Sequence, residues 1–317
     1  MKIVVAGALG HIGSALIRKI PSLLNASEIV MIDNLMTQRY CSLFNLPANG
    51  NYHFIEADIL NTDLRSAFQG ADVVIQMAAI TDAAGSFKIR EQVEHNNYNS
   101  TVKVAEACSE TGCRMIHLSS TSVYGTQKEI VDENCRPEEL CPQSPYAETK
   151  LKEEQFLQQL GLTGKLRFVT FRFGTICGIS PGMRFHTAVN KFCWQAVMGQ
   201  PITVWRTALH QKRPYLDLND AIEAIKFVIE RDLFDNRVYN VLTENLTVHS
   251  ILDAIRRYIP KLNIKYVDAE IMNQLSYNVS CSRFKGMGFD SKGNIGQRTG
   301  ETIDLLRGAV KGLSPSA

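Results

Sequence analysis

Nothing in this sequence of 317 residues resembles a membrane span: no stretch approaches the roughly 18 consecutive apolar residues that a spanning helix needs. An excess of charge of one sign is also missing. Lys plus Arg number 34 against 32 for Asp plus Glu, the net charge is +2, and there is no basic run. Without that electrostatic footprint, nucleic acid is not an expected partner. Internal repeats and low-complexity tracts are absent. The eight cysteines lack a pattern: no CxxC pair occurs, and neither Cys108/Cys113 nor Cys135/Cys141 has a His at ligand spacing. Zinc sites want tighter pairs, and a chain this long needs no disulfide framework. Free thiols and no metal are therefore expected, with Cys108 in the core.

What is there is ordinary for a soluble globular protein: 45% apolar and 21% charged residues. The length suits two domains, or one large domain with an appended lobe. Met1-Lys2-Ile3-Val4-Val5-Ala6-Gly7 enters a strand-like run at once, leaving no room for a signal peptide ahead of it, so the expected compartment is cytoplasmic.

The first half alternates. Apolar runs at Ile3–Ala6, Glu28–Ile32, Tyr52–Glu56, Asp72–Gln76, Arg114–Leu118 and Leu166–Arg172 predict strands. Helical patterns at His11–Ile20, Arg90–Ser109 and Tyr146–Leu160 fall between them. Apolar strands alternating with helices predict βαβ units and a parallel sheet buried on both faces. The expected fold class is α/β: a Rossmann-type doubly wound parallel sheet with a smaller C-terminal α/β substrate-binding lobe. After Cys177 the rhythm changes. A loop at Gly178–Gly182 precedes a predicted helix at Arg184–Met198, ended by Gly199-Gln200-Pro201. Short strands (Pro201–Trp205, Arg237–Val241) then mix with helices (Asn219–Arg231, Val248–Tyr258, Glu301–Val310), and Ser314–Ala317 is expected to fray. The expected division is a dinucleotide-binding domain at 1–177, with a returning segment near 213–243, and a substrate lobe from 178–212 and 244–317.

Gly7-Ala8-Leu9-Gly10-His11-Ile12-Gly13 is a Gly-x-x-Gly-x-x-Gly turn between the first strand and the first helix. Gly7 permits the tight turn, Gly10 lets backbone approach a pyrophosphate, and Gly13 lets the helix pack closely on the strand. The helix start favours an anion. Glycines also mark ordinary turns, but strand before and helix after is the right context. His11 and Ile12 would lie near the cofactor. Asp33 ends the second strand twenty residues after Gly13, where a carboxylate binds a ribose 2′-OH and repels a 2′-phosphate. No Arg follows within the next five residues, which favours NAD over NADP. The competing reading of Asp33 is a loop residue capping the next helix.

Tyr146-Ala147-Glu148-Thr149-Lys150 puts Tyr and Lys on one face of a helix start. A phenol with an ordinary pKa of about 10 needs help to act as a base near neutrality, and a nearby ammonium supplies it. Taken alone the pair could be a surface feature. Leu118-Ser119-Ser120-Thr121-Ser122-Val123-Tyr124-Gly125 follows the fifth strand, where hydroxyls project into the ligand crevice of a doubly wound sheet, or form a plain Ser-rich turn.

These pieces carry a resemblance. The glycine turn, Asp33, Asp58-Ile59, Ala78-Ala79, Asn97–Thr101, Ser119–Gly125 and Tyr146–Lys150 occur in order. So do Arg172–Gly178, Gly199–Ile202 and Arg213–Asp217. Through nearly its whole length the chain resembles the extended short-chain dehydrogenase/reductase family, the NAD-dependent nucleotide-sugar epimerases and dehydratases. The resemblance implies Tyr146 as acid/base, Lys150 on the nicotinamide ribose and acidifying Tyr146, and Ser120 as the catalytic hydroxyl. It implies cofactor contacts from Asp33, Asn34, Asp58, Ile59, Ala78, Ala79 and Asn97. Arg213 would hold the substrate's diphosphate, as a guanidinium fork suits phosphate. Arg184 is a second phosphate candidate or a solvated helix residue. Trp205 and Phe185 could flank a base, although core packing is the favoured reading. A homodimer through the helices at Arg90–Ser109 and Tyr146–Leu160 is also implied.

The departures narrow the activity. Water-eliminating members carry an Asp-Glu pair after the catalytic hydroxyl, and sugar-acid decarboxylases a Glu two residues before the VYG tyrosine. Here those places hold Thr121-Ser122 and Ser122. Short hydroxyl residues resemble the C4 epimerases, so the expected activity is C4 inversion of a nucleotide-diphosphate sugar with retained NAD. A 4,6-dehydratase, decarboxylase or 4-keto reductase on the same scaffold is the alternative, and a non-catalytic dinucleotide sensor is a further one. Thr175 stands where Asn often contacts substrate. Ala188 or Asn190 is the approximate counterpart of a phosphate-binding Asn.

Overall fold

The computed structural model describes residues 1–25, 28–125, 129–268 and 276–309. The chain opens with β1 (Lys2–Ala6), α1 (His11–Leu23), β2 (Glu28–Asp33), β3 (Tyr52–Glu56), α2 (Leu64–Phe68) and β4 (Val73–Gln76). It continues with α3 (Arg90–Thr111), β5 (Arg114–Ser120), the short β6 (Ile130–Val131), α4 (Pro145–Leu162) and β7 (Phe168–Phe173). The remainder mixes small elements: β8 (Thr175–Cys177), α5 (Ala188–Val197), β9 (Ile202–Trp205), β10 (Lys212–Asp217) and α6 (Leu218–Glu230). Next come β11 (Val238–Val241), β12 (Glu244–Thr247), α7 (Val248–Arg256) and β13 (Ile264–Val267). Last are β14 (Asn278–Val279), α8 (Ser282–Gly286) and α9 (Ile295–Leu306).

Seven strands form one parallel sheet in the order β11-β7-β5-β4-β1-β2-β3. Strand residues point alternately to the two faces. Ile3 and Val5 of β1 therefore join one core with Leu16 and Ile20 of α1 and Ile222 and Ile225 of α6. Val4 and Ala6 join the other, with Val104 and Cys108 of α3 and Leu157 of α4. Burial on both faces is why these strands read as unbroken apolar runs rather than alternating ones. The order reverses between β1 and β4, and a ligand crevice lies at such a switch, beyond the strands' carboxyl ends.

The lobe has its own core, from Val189 and Phe192 of α5, Ile251 and Ile255 of α7, and Ile303 of α9. β10 pairs with β8 and β12 in a separate three-stranded sheet and does not enter the central one; of the returning segment only β11 joins that sheet, and α6 packs against it. α8 also leaves the lobe: its Phe284 packs against Phe171 and Tyr239 of the central sheet.

Two helix starts differ from the sequence reading by more than one residue. α5 starts at Ala188, not Arg184. The residues before it are held elsewhere: Ser180 Oγ donates to the His11 carbonyl at 2.8 Å, and the Gly182 N–H to Ser14 Oγ at 2.9 Å. α9 starts at Ile295, because Asn294 caps it by accepting from the Gln297 N–H at 2.8 Å. Val310 and the Ser314–Ala317 tail lie outside the described residues. The eight cysteines are free thiols, and Cys108 is buried as expected.

Candidate active site

The cleft between sheet and lobe has a volume of about 700 Å³. Its floor begins at the glycine turn. Gly7 has φ +79°, and a Cβ there would meet the Ala78 backbone N at 2.7 Å, so both conformation and the approach of β4's end demand glycine. A Cβ on Gly13 would strike the Gly7 carbonyl oxygen at 2.4 Å, which fixes α1 hard against the turn. Gly10 caps α1 without a side-chain hydrogen bond, and no acidic residue lies in the first turn. That leaves the helix start to an anion. Gly7, Gly10, Ile12 and Gly13 all line the cleft, as do Asp33, Asn34, Asp58, Ile59, Ala78 and Ala79.

Asp33 Oδ2 accepts from the Leu9 N–H at 3.1 Å, and Oδ1 from the Leu35 N–H at 3.0 Å. The carboxylate is thus braced by both the turn and its own loop. Asp58 accepts from the Leu60 N–H at 2.9 Å and starts a short 3-10 turn. His11 lines the cleft, but its ring is turned inward. Nε2 donates to the Gly178 carbonyl at 2.8 Å, and burial pushes its pKa down to about 4, so it is a neutral tether for the 178–184 loop.

Ser144 caps α4 by accepting from the Ala147 N–H at 3.2 Å, and Pro145 suits the first helical position. This sets Tyr146 and Lys150 one turn apart, facing the end of β5. Tyr146, Lys150, Ser120 and Ser122 all line the cleft. Ser122 Oγ donates to Ser120 Oγ at 2.9 Å, and Ser120 is hydrogen-bonded to Tyr146. Burial raises the Tyr146 phenol above its ordinary value, while the Lys150 and Arg184 cations and the Ser120 bond pull it down. A bound cation adjoining the site would tip that balance further toward the phenolate.

Arg184 is not a solvated helix residue. It sits in the loop before α5, hydrogen-bonded to Thr81 Oγ1 and close enough to influence both Tyr146 and Arg39. Burial lowers its pKa to about 10. No carboxylate stands at ion-pair distance from it among the described residues. Arg213 lines the cleft from the lobe, 5.2 Å from the Tyr277 ring centroid, and Thr175 lines it too.

Two expected contacts are absent from the cleft lining. Asn97 faces inward: it accepts from the Ile80 N–H at 2.8 Å and donates to the Ile80 carbonyl at 2.8 Å, bracing the segment after Ala79. Asn190 is fully buried, and its amide nitrogen donates to the Arg184 carbonyl at 2.9 Å, which ties it to the loop. Their neighbours Asn96 and Lys191 line the cleft instead. Trp205 is 38% exposed and lines the cleft, which overturns core packing for it. Phe185 stacks at a tilt on Trp194 and does not line the cleft.

Arg39, six residues after Asp33, also lines the cleft, and the sequence pattern does not mark it. Its Nη1 would stand 4.0 Å from a Cβ on Gly10, so its cation overlooks the glycine turn. His117 and Glu153 form a further titratable pair, buried behind Lys150. A His inside an apolar strand and a Glu three residues after Lys150 were the signals available.

Fold and cleft together define an α/β enzyme of the dinucleotide-binding type. The NAD dependent epimerase/dehydratase family model matches residues 3–241, and the chain belongs to that family. It is 29% identical over 320 residues to the trifunctional UDP-glucose 4,6-dehydratase/UDP-4-keto-6-deoxy-D-glucose 3,5-epimerase/UDP-4-keto-L-rhamnose-reductase of Arabidopsis thaliana. That match takes in 95% of this chain and 46% of the relative, so the chain spans about half the relative's length. It is 28% identical to the uncharacterized UDP-glucose epimerase YtcB of Bacillus subtilis, over 76% of each chain. Among solved structures it resembles a mutant UDP-glucuronic acid 4-epimerase of Bacillus cereus in complex with UDP-4-deoxy-4-fluoro-glucuronic acid and NAD. There the TM-score is 0.89 and the identity 25%, covering 98% of this chain and 100% of that one.

NAD is the cofactor of this enzyme. The residues fit it: the glycine turn has backbone approach and an uncapped helix start for the pyrophosphate, and Asp33 has a fixed carboxylate for a ribose hydroxyl.

Proposed function

We propose that the protein is a nucleotide-sugar 4-epimerase. The observation that supports this most is the pair of side chains after Ser120. Thr121 Oγ1 donates to the Phe173 carbonyl at 3.2 Å and Ser122 Oγ to Ser120 at 2.9 Å, so both positions hold hydroxyls already engaged. Elimination of water across C5 and C6 needs an additional acid and base there, and C4 inversion does not.

In this reading Tyr146 takes the proton of the C4 hydroxyl and gives it back after the 4-keto sugar has turned over. Ser120 steadies the same oxygen, and Lys150 lowers the cost of the phenolate. NAD, when bound, supplies the hydride acceptor and donor. Arg213 takes the substrate's diphosphate bidentately. Gly7, Gly10, Ile12, Gly13, Asp33, Asn34, Asp58, Ile59, Ala78 and Ala79 hold the cofactor. Arg39 and Arg184 give the cleft two further cations for phosphate or acidic sugar groups.

The test is a product panel on purified protein with no NAD added. UDP-glucose and UDP-glucuronic acid come first, since similar proteins are named for them or were captured with them. GDP-, CDP- and dTDP-sugars follow, all read by NMR. A C4-inverted product of unchanged mass is expected. A product lighter by water or carbon dioxide, or turnover only with added NADPH, would overturn the proposal. The family resemblance also implies a homodimer through α3 and α4. Sedimentation at rising concentration tests it, and a monomer throughout would contradict it.

A further inference from the structure

Lys150 faces two acidic groups, a neutral phenol and a carboxylate. On one side is the Tyr146 phenol. On the other is Glu153, three residues along α4, whose Oε2 lies 2.9 Å from Lys150 Nζ. Both side chains of the ion pair are almost wholly buried, Glu153 completely. The same oxygen accepts from Thr101 Oγ1 of α3 at 2.9 Å and from His117 Nε2 of β5 at 2.8 Å. Its other oxygen, Oε1, is buried and has no hydrogen-bond partner.

The donors define the charge state. A hydroxyl, an imidazole N–H and an ammonium converge on one oxygen, which is a site for an ionised carboxylate. Burial keeps His117 neutral, and its Nδ1 faces Thr170 Oγ1 at 3.3 Å. The next carboxylate on the helix, Glu154, is occupied elsewhere. It binds the Arg172 guanidinium at 2.6 to 3.2 Å and accepts from Ser119 Oγ at 2.5 Å. The groups acting on Tyr146 are therefore Lys150 and Glu153 from its own helix, Ser120 from β5 and Arg184 from the facing loop, with Asp82 and Arg39 beside Arg184.

We propose that Glu153 is a positioning residue for the acid/base: its carboxylate holds the Lys150 ammonium from behind and withholds part of that positive charge from Tyr146. The inference rests on Tyr146 being the acid/base of the proposed reaction. A cation shared between two anions stabilises each less than a cation given to one. Taking the negative charge out of the buried cluster makes the first proton leave the Tyr146/Lys150 pair more easily, whichever of the two releases it. Glu153 therefore raises the pH at which the base becomes available, and it keeps Lys150 charged while the phenol is still protonated.

The test compares Glu153→Gln, Glu153→Asp and the parent protein. Gln keeps the acceptor for Thr101 and His117 but removes the charge. The acid limb of kcat against pH is expected to move down by about one unit in Glu153→Gln. It should stay near its original place in Glu153→Asp, which retains the carboxylate. The Tyr146 phenol is also titrated directly, by NMR of ring-labelled tyrosine assigned with Tyr146→Phe. That titration needs no substrate, so it reads the inference even if no sugar of the panel turns over. Should Glu153→Gln not fold, Thr101→Val removes one donor from the carboxylate. More of the negative charge then reaches Tyr146, and a smaller upward shift is expected. A folded Glu153→Gln protein whose acid limb and phenol titration both coincide with the parent's would overturn the inference. So would a Thr101→Val limb that does not move.

Discussion

The N–H of Leu9, inside the glycine turn, donates to Asp33 Oδ2 at the end of β2, 24 residues along the chain and 3.1 Å away. The glycine turn and the end of β2 are therefore tied together as one unit. Asp33 also accepts from its own loop at Leu35. The Leu9 bond is possible because β1 and β2 lie side by side in register from Lys2/Glu28 to Ala6/Ile32, whereas the Leu35 bond is a turn local to the loop.

Asp33→Ser should weaken NAD and relieve the repulsion of a 2′-phosphate. The preference for NAD over NADP is expected to fall by roughly 10- to 100-fold, as for about 1–3 kcal/mol of lost discrimination. Dissociation constants of both dinucleotides for the variant check it. An unchanged ratio would show that Asp33 does not read the ribose.

Tyr146→Phe removes the proton carrier and nothing from the glycine turn. Turnover should fall by about two to four orders of magnitude while the NAD content of the purified protein stays at the parent level. Rate and bound dinucleotide, measured on the same preparation, separate the two effects.

Arg184→Met removes a cation that favours the Tyr146 phenolate. The sign follows directly: the base keeps its proton to higher pH, so the acid limb of the rate profile moves up and activity at pH 6 falls more than at pH 9. This is the opposite direction to Glu153→Gln. Profiles of the two variants that moved together would refute the charge account of the site.

Glu154 and Arg172 form a buried ion pair shared with Ser119 and, through Arg172, with the Tyr124 hydroxyl at 2.9 Å. Glu154→Ala leaves the guanidinium buried without its carboxylate. A loss of about 3–5 kcal/mol in unfolding free energy is expected from chemical denaturation, against well under half of that for a surface pair such as Arg90 with Glu148.

The central sheet was legible because its strands are buried on both faces. Val4 and Ile75 have no room for polar neighbours, so the runs stand out. The glycine turn and the Tyr146–Lys150 pair were legible because they are local: strand, turn and cap set them within a few residues. What escaped depends on contacts between distant segments. The Arg184 loop is not helical because Ser180 and Gly182 are tied to α1, about 170 residues earlier. The sequence pattern offers Asn97 and Asn190 as ligand contacts, yet the amide nitrogen of each donates to a backbone carbonyl, that of Ile80 and that of Arg184. The pairing of His117 with Glu153 requires β5 and α4 to be placed against each other, which no local pattern announces.

The most direct measurement of the account is the fate of a deuterium placed at C4 of the accepted nucleotide sugar. Purified protein is incubated with that substrate, no cofactor is added, and the mixture is read by NMR and mass spectrometry. The account predicts two C4 epimers of equal mass, each with deuterium still on C4. Deuterium found at C6 with loss of water, or no turnover until a reduced cofactor is supplied, would contradict it.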